Sequence, residues 1–321
     1  MRLSLWCKVS KIRVGQEIKN GAFFTLVRQF CTIFTPDMTT QEATNTFKRR
    51  LHGVWSDHEL QQMMRIILED VMHYTPVDAV IHEHDELPDF FEAKLSGIIE
   101  RLLRHEPLQY VLGEARFHGL RFKVTPAVLI PRPETEMLVD MVADANPQPD
   151  LRVLDVGTGS GCIAIALART LKWPQVTATD VSAQALAVAR QNAEALKATN
   201  VRLVQQDILQ AEPPRKPEYD VVVSNPPYIC QSERAGMEAN VLDYEPGTAL
   251  WVPDDDPLLY YRAIARYAAA ALVPGGRLYF EINRAQGSAT AALLGSLGYT
   301  GVNVTRDQFG NERFATAVRP E

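Results

Sequence analysis

The sequence Val153-Leu154-Asp155-Val156-Gly157-Thr158-Gly159-Ser160-Gly161 runs from an apolar segment into three glycines at alternate positions. Cys162-Ile163-Ala164 then opens a helical pattern. Glycine tolerates the positive φ of a tight turn, and without Cβ it lets backbone N–H groups approach a ligand closely. Working outward, strands are predicted at Leu151–Val156, Val176–Asp180, Val201–Gln206, Tyr219–Ser224 and Arg277–Ile282, with helical segments between them. Such βαβ alternation implies an α/β fold with a parallel sheet covered on both faces. Residues 299–318 read as two further strands around Asp307-Gln308-Phe309-Gly310, which should form an antiparallel edge.

Upstream, from about 40 to 105, the pattern is helical. Ser56 and Glu59 have capping-box spacing, Leu60, Met64, Ile67 and Val71 follow at helical intervals, and Pro76 is expected to end that element. A second helix is expected near 89–104, with Leu95, Ile99 and Leu102 on one face. Tyr110 to Ile130 reads as β-rich, a hairpin punctuated by Gly113 and Gly119. The expected organisation is a basic leader over 1–37, a helical substrate-recognition domain over 38–108, a β-hairpin linker over 109–130, and an α/β domain over 131–321.

The net charge of −6 is a blend. Residues 1–37 carry +4 and the remainder −10. An acidic working chain argues against sequence-blind binding to nucleic-acid phosphates. The leader lacks a secretory h-region and is read as a poorly ordered extension, with the working protein beginning at Met38. No apolar run reaches the roughly 18 residues of a membrane span, so a soluble protein is expected. Cys7, Cys31, Cys162 and Cys230 form no C-x-x-C pair, which fits reduced thiols and a cytoplasmic location.

The glycine loop is not a dinucleotide fingerprint, because Cys162 stands where glycine or alanine is needed. Asp155, two residues before the first glycine, would repel a pyrophosphate and suits a ligand with an ammonium group. Asp180, about 20 residues beyond the loop at a strand end, is placed to accept from two ribose hydroxyls. Asp207 closes the third strand and could bond an adenine amino group. An amino-acid end, a ribose and an adenine together describe S-adenosylmethionine.

Asn225-Pro226-Pro227-Tyr228 follows the fourth strand, at the carboxyl edge where open α/β sheets keep their sites. Two prolines remove two N–H donors and fix φ, leaving carbonyls to face a substrate. The Asn225 side-chain oxygen and the Pro226 carbonyl can accept both hydrogens of a planar –NH₂ group, on which Tyr228 can stack. This specifies a planar amine or amide as the acceptor, and leaves a nucleobase and a glutamine both open.

Glu106-Pro107-Leu108-Gln109-Tyr110, Leu129-Ile130-Pro131-Arg132-Pro133-Glu134-Thr135-Glu136, the glycine loop and Asn225–Tyr228 occur in the order of one family. From about residue 40 to 318 the chain resembles bacterial peptide-chain-release-factor glutamine N5-methyltransferases, with Pro131–Glu136 as the discriminating motif. The resemblance implies a class I S-adenosylmethionine-dependent methyltransferase fold, Rossmann-like, and methylation of the glutamine in the Gly-Gly-Gln tip of class I release factors. It implies that Gly157, Thr158, Gly159, Ser160, Gly161 and Asp180 bind the cofactor, that Asp207 and Ile208 flank the adenine, and that Asn225–Tyr228 hold the glutamine amide. Phe117 and Arg132 fall in segments that approach the substrate in this family. S-adenosylhomocysteine is the implied product, and a monomer without stable nucleic acid or membrane association is expected. Competing readings are a glutamine methyltransferase of a ribosomal protein, an adenine-N6 methyltransferase, and a noncatalytic cofactor-binding partner of translation factors.

Three other features receive structural readings. His82, Glu83 and His84 are read as a solvated loop rather than a metal site, and Asp256-Pro257 as a helix N-cap with proline at the first helical position. Cys162 and Cys230 are assigned to packing, and Glu245-Pro246 to a loop contacting the protein substrate.

Overall fold

The computed structural model describes residues 38–321, so the leader and its two cysteines lie outside the described residues. Contacts divide the chain into two compact units between Ile99 and Glu100. In the first, α1 (Thr40–Leu51) and α2 (Asp57–Met72) both open on capping boxes, Thr39 with Glu42 and Ser56 with Glu59. Each box satisfies two backbone N–H groups that the helix itself cannot pair. Phe47 and Leu51 of α1 and Leu60, Met64 and Ile67 of α2 are buried, as their helical spacing requires. Helix α2 stops before Pro76: His73 takes a left-handed φ of 59° and its N–H reaches the Leu68 carbonyl. Pro76 instead opens α3 (Pro76–Ile81), where a missing N–H leaves no gap in the ladder. Helix α4 (Asp89–Leu102) buries Phe91, Leu95 and Ile99.

The second unit opens on the last turn of α4, and the segment read as β-rich begins with a helix. α5 (Leu108–Leu112) ends at left-handed Gly113, φ 78°. Arg101 explains the helix: its guanidinium donates to the carbonyls of Val111 (2.9 Å) and Tyr110 (3.1 Å) and pairs with Glu106. The hairpin follows as β1 (Glu114–Phe117) and β2 (Leu120–Lys123). Its Phe117 and Phe122 meet edge to face and share the core of this unit with Leu138 and Val142 of α6 (Pro133–Ala145).

The remaining elements are β3 (Arg152–Val156), α7 (Cys162–Thr170), β4 (Gln175–Asp180), α8 (Ala183–Ala195), β5 (Val201–Gln205), β6 (Tyr219–Ser224), β7 (Ile229–Cys230), α9 (Ala239–Tyr244), β8 (Trp251–Val252), α10 (Leu259–Ala271), β9 (Leu272–Glu281), α11 (Gly287–Ser296), β10 (Thr300–Arg306) and β11 (Glu312–Val318). Seven strands form one sheet in the order β10-β11-β9-β6-β3-β4-β5. β11 pairs antiparallel with both β10 and β9, and the remaining pairings are parallel. Val153 packs with α6 and α7 on one face, and its neighbour Leu154 with Tyr261 and Ile264 of α10 on the other. That alternation is why the strands read as nearly continuous apolar runs.

Two local expectations are corrected. Strand β9 begins at Leu272 rather than Arg277, with a register shift against β6 where Pro274-Gly275-Gly276 intervenes. Asp256 does not cap a helix: α10 starts at Leu259 without a side-chain cap, and the Asp256 carboxylate accepts from both terminal nitrogens of Arg262 at 2.6 and 2.8 Å. Among the described residues no helix is long and apolar enough to cross a membrane.

Phe314 of β11 is fully buried against the α6 face of the sheet. Truncating it leaves a ring-sized void, so Phe314→Ala should destabilise this unit by about 3–5 kcal/mol. Urea unfolding followed by circular dichroism checks this, and an unmoved midpoint would place the ring outside the core.

Candidate active site

The register of the parallel strands builds the site. Val156, the last residue of β3, pairs with Thr179 of β4 on one side and Ser224 of β6 on the other. The chain therefore leaves three neighbouring strands at one level, and the sheet order reverses direction at β3, the position where open α/β sheets leave a crevice. From those ends come the glycine loop, Asp180 and Asn225. Ser224 locks the β3–β6 edge, donating its buried hydroxyl to the Val156 carbonyl at 2.6 Å.

A cavity of about 340 Å³ opens there, lined by Gly157, Thr158, Gly159 and Ser160, by Asp180, Asp207 and Ile208, and by Asn225, Pro226 and Pro227. That size suits a small-molecule site. Gly157 and Gly159 have φ of +75° and +55°, and a Cβ built on either meets no atom within 4 Å. The loop thus presents bare backbone to open space. Gly161 is needed for another reason: its Cβ would stand 3.2 Å from Ala189 of α8 and Ile165 of α7. Asn192 of α8 ties the hairpin to this loop, its amide nitrogen donating to the carbonyls of Lys123 (3.0 Å) and Ser160 (2.8 Å).

The Asp180 carboxylate accepts from Gly159 N at 2.9 Å and from Ser182 N at 2.8 Å, one to each oxygen. Each oxygen keeps a second lone pair, enough for a vicinal diol. Burial raises its pKa and the backbone donors oppose the rise. Asp207 lines the far end, its oxygens accepting from Leu209 N and from the Gln210 amide. Tyr260 of α10 also borders the cavity and was not singled out from sequence, where it is one aromatic in a helical stripe. These donors and acceptors fit S-adenosylmethionine, with Ser160 Oγ buried in the protein without a partner.

Four expected site residues lie outside the cavity wall, and Gly161, whose place is set by the packing of α7 on α8, is the first of them. Asp155 is fully buried behind the loop; Oδ2 accepts from Thr158 Oγ1 at 2.6 Å while Oδ1 has no partner. Desolvation pushes its pKa up to about 7. Phe117 is in the hydrophobic core, because its strand turns that side chain toward α6. Tyr228 sits behind the wall rather than across it, and its phenol donates to Glu281 Oε1 at 3.1 Å. Arg132 does reach the cavity, and its guanidinium pairs at 2.5 Å with Glu245, whose side chain is buried. Cys162 also lines the cavity, but burial raises its thiol to about 12, so it stays protonated.

Sequence reading missed Glu281 at the end of β9. It is 1% exposed and accepts from Thr135 Oγ1 at 2.7 Å as well as from Tyr228. An acid closing the apolar run Leu278-Tyr279-Phe280 was the available signal.

Comparisons with known proteins agree with this geometry. The "Methyltransferase small domain" family matches residues 133–242, and the "PrmC N-terminal domain" family matches residues 42–113. A release factor glutamine methyltransferase of Bacteroides thetaiotaomicron is 43% identical over 276 residues, 86% of this chain and 99% of its own. The corresponding protein of Flavobacterium psychrophilum is 40% identical over 83% of this chain and 94% of its own. That of Cereibacter sphaeroides is 41% identical over 88% of this chain and 99% of its own.

Asp155 generates a pH prediction. Unfolded, the group ionises near pH 4, whereas in the fold it holds its proton to about 7. Its contribution to stability is therefore full below about pH 4 and is lost as pH rises to about 7. In cofactor-free protein the wild-type unfolding free energy, taken relative to Asp155→Asn, should fall across that window and then level off. A pH-independent difference in denaturant titrations would mean the carboxyl ionises normally in the fold.

Proposed function

The chain belongs to the release factor glutamine methyltransferase family, and from that premise we infer how its own residues carry out the reaction. It is an S-adenosylmethionine-dependent protein-glutamine N5-methyltransferase with a class I methyltransferase fold, acting on release factors. We propose that the target is the glutamine of the Gly-Gly-Gln tip of class I factors.

S-adenosylmethionine, when bound, supplies a methyl group made electrophilic by its sulfonium. Gly157–Ser160 would cradle the amino-acid end, Asp180 would hold the ribose diol, and Asp207 and Ile208 would border the adenine. Asp155 acts from behind the loop, bracing it through Thr158 and contributing a buried acceptor beneath the expected ammonium. The Asn225 side-chain oxygen and the Pro226 carbonyl accept the two hydrogens of the substrate amide. Fixing both hydrogens fixes the plane, so the nitrogen faces the methyl in line, and positioning supplies most of the rate. The nitrogen so held would gain the methyl as the sulfonium S–CH₃ bond breaks with its electron pair left on sulfur, giving S-adenosylhomocysteine, and would release one proton to solvent. No side chain is asked to act as a base.

The observation that carries this reading is the shared cavity wall: the glycine loop, Asp180 and Asn225-Pro226-Pro227 border one space. Arg132 and Glu245 are assigned to the substrate side, where their ion pair joins the segment before α6 to the one after α9. The helical residues 38–108 are assigned to recognition of the factor. Action without nucleic acid is proposed on the −10 charge of the residues after 37, and a cytoplasmic location on cysteines that form no C-x-x-C pair; a monomer is proposed with them.

Incubating the protein and methyl-labelled cofactor with purified release factor should label the tip peptide at glutamine, located by mass spectrometry. Nucleic acid in its place should stay unlabelled. Asn225→Ala removes an acceptor used at the reacting amide and should lower turnover by about a hundredfold or more, with cofactor affinity within about tenfold. Wild-type turnover by that variant would remove Asn225 from the role given to it.

A further inference from the structure

Asn225 can orient an amide only if its own amide is oriented first. Its two ends are nearly isosteric, and only one orientation presents an oxygen to the substrate. The structure contains a chain of hydrogen bonds that makes the choice. Asn225 Nδ2 donates to Thr135 Oγ1 at 3.2 Å; Thr135 Oγ1 donates to Glu281 Oε2 at 2.7 Å; Tyr228 Oη donates to Glu281 Oε1 at 3.1 Å. Thr135 and Glu281 are 2% and 1% exposed, so water does not compete for these groups.

We propose that Glu281 and Thr135 are positioning residues that set the hydrogen-bond polarity of Asn225, and through it the orientation of the glutamine amide. The proposal rests on the reading of Asn225 given above. A carboxylate can only accept. Glu281 therefore commits the single hydroxyl proton of Thr135 to itself, and Thr135 can then offer only a lone pair toward Asn225. That lone pair selects the Asn225 –NH₂, leaving Oδ1 as the acceptor for substrate. Burial raises the pKa of Glu281, and the hydrogen bonds from Thr135 and from the Tyr228 phenol, itself held protonated by burial, oppose the rise together with the Arg313 guanidinium, while the charge of Glu134 adds to it.

The chain also links two segments whose sequence relation is otherwise unexplained. Thr135 stands in the Pro131–Glu136 motif and Tyr228 ends the catalytic tetrapeptide, and one buried carboxylate from β9 holds both. Glu281→Gln keeps the shape but supplies a donor. Its amide can donate to Thr135 Oγ1, which turns the hydroxyl proton toward Asn225. Asn225 then answers with Oδ1 and shows its –NH₂ to a substrate –NH₂, two donors facing each other. Thr135→Val keeps the volume and deletes the link, whereas Thr135→Ser keeps the hydroxyl.

The test combines kinetics on release factor with a measurement that needs no substrate. Wild-type, E281Q, T135V and T135S proteins are compared for kcat, KM for the factor, and cofactor affinity by calorimetry. E281Q and T135V should each lower kcat by about a hundredfold, and T135S should recover most of the rate. KM and cofactor affinity should stay within about threefold. In parallel, the Asn225 side-chain –NH₂ signals, assigned in ¹⁵N NMR spectra through their loss in Asn225→Ala, should exchange slowly in wild type and fast in T135V. Wild-type kcat in both E281Q and T135V, or T135S as slow as T135V, overturns the proposal. Should wild-type protein fail to methylate the factor, the substrate reading falls by itself. The amide exchange then decides the relay: slow exchange lost in T135V upholds it, and equal exchange in both proteins overturns it.

Discussion

The register between β3 and its two neighbours is the constraint on which the rest of this site depends. Parallel strands exchange evenly spaced hydrogen bonds, so pairing Val156 with Thr179 and Ser224 brings three chain exits to one level. The glycine loop then closes over β4, where Gly157 N and Thr158 N both donate to the Thr179 carbonyl at 2.8 and 2.9 Å. A slip of one residue in β6 would turn Ser224 off its bond to Val156 and carry Asn225 to the other face of the sheet. Because β3 and β6 are buried among apolar side chains on both faces, such a slip would also misplace the core.

Around that edge burial weighs on three carboxylates: Asp155 and Glu281 lie behind it, out of reach of water, and Asp180 faces the cavity. Burial disfavours the ionised form of each, and each is offset by short donors from within the protein. Backbone N–H groups serve Asp180, while hydroxyls serve Asp155 and Glu281. A carboxylate so held is a fixed acceptor. Asp180 offers its spare lone pairs to the cavity, and Glu281 uses its own to dictate which way its neighbours point. This is preorganisation achieved with ordinary hydrogen bonds, suited to the reaction proposed above, which asks for an oriented amide rather than a base.

Much of the architecture was legible in the sequence. The strands at 152–156, 175–180, 201–205 and 219–224 fall within a residue of their expected bounds, because the apolar stretches of β3 and β6 and the alternating apolar residues of β4 and β5 are each bounded by polar turns. The capping boxes at Thr39 and Ser56 belong to the same local kind of information, although only the second was identified. Elements that depend on remote partners were less legible. Helix α5 exists where β-structure was expected because Arg101 supplies donors to its last carbonyls. Asp256 had the local look of a cap, yet its carboxylate is taken up chiefly by two charged donors of Arg262. Phe117, expected at the substrate, is claimed by the core through its edge contact with Phe122.

By itself, the sequence determined the chemistry available: a glycine turn ahead of a helix, an acid at the next strand end, and an asparagine followed by two prolines. Those are properties of short segments, where steric freedom, missing N–H groups and side-chain type act over a few residues. The tertiary structure decided which of these groups share a cavity and which stand behind it. It put Asp155 and Tyr228 behind the wall and brought Thr135 and Glu281, 146 residues apart, to within 2.7 Å. It likewise joined Asn225 to Thr135 across 90 residues. Desolvation and hydrogen-bond polarity are set by what surrounds a group in space, and only the assembled sheet supplies those surroundings.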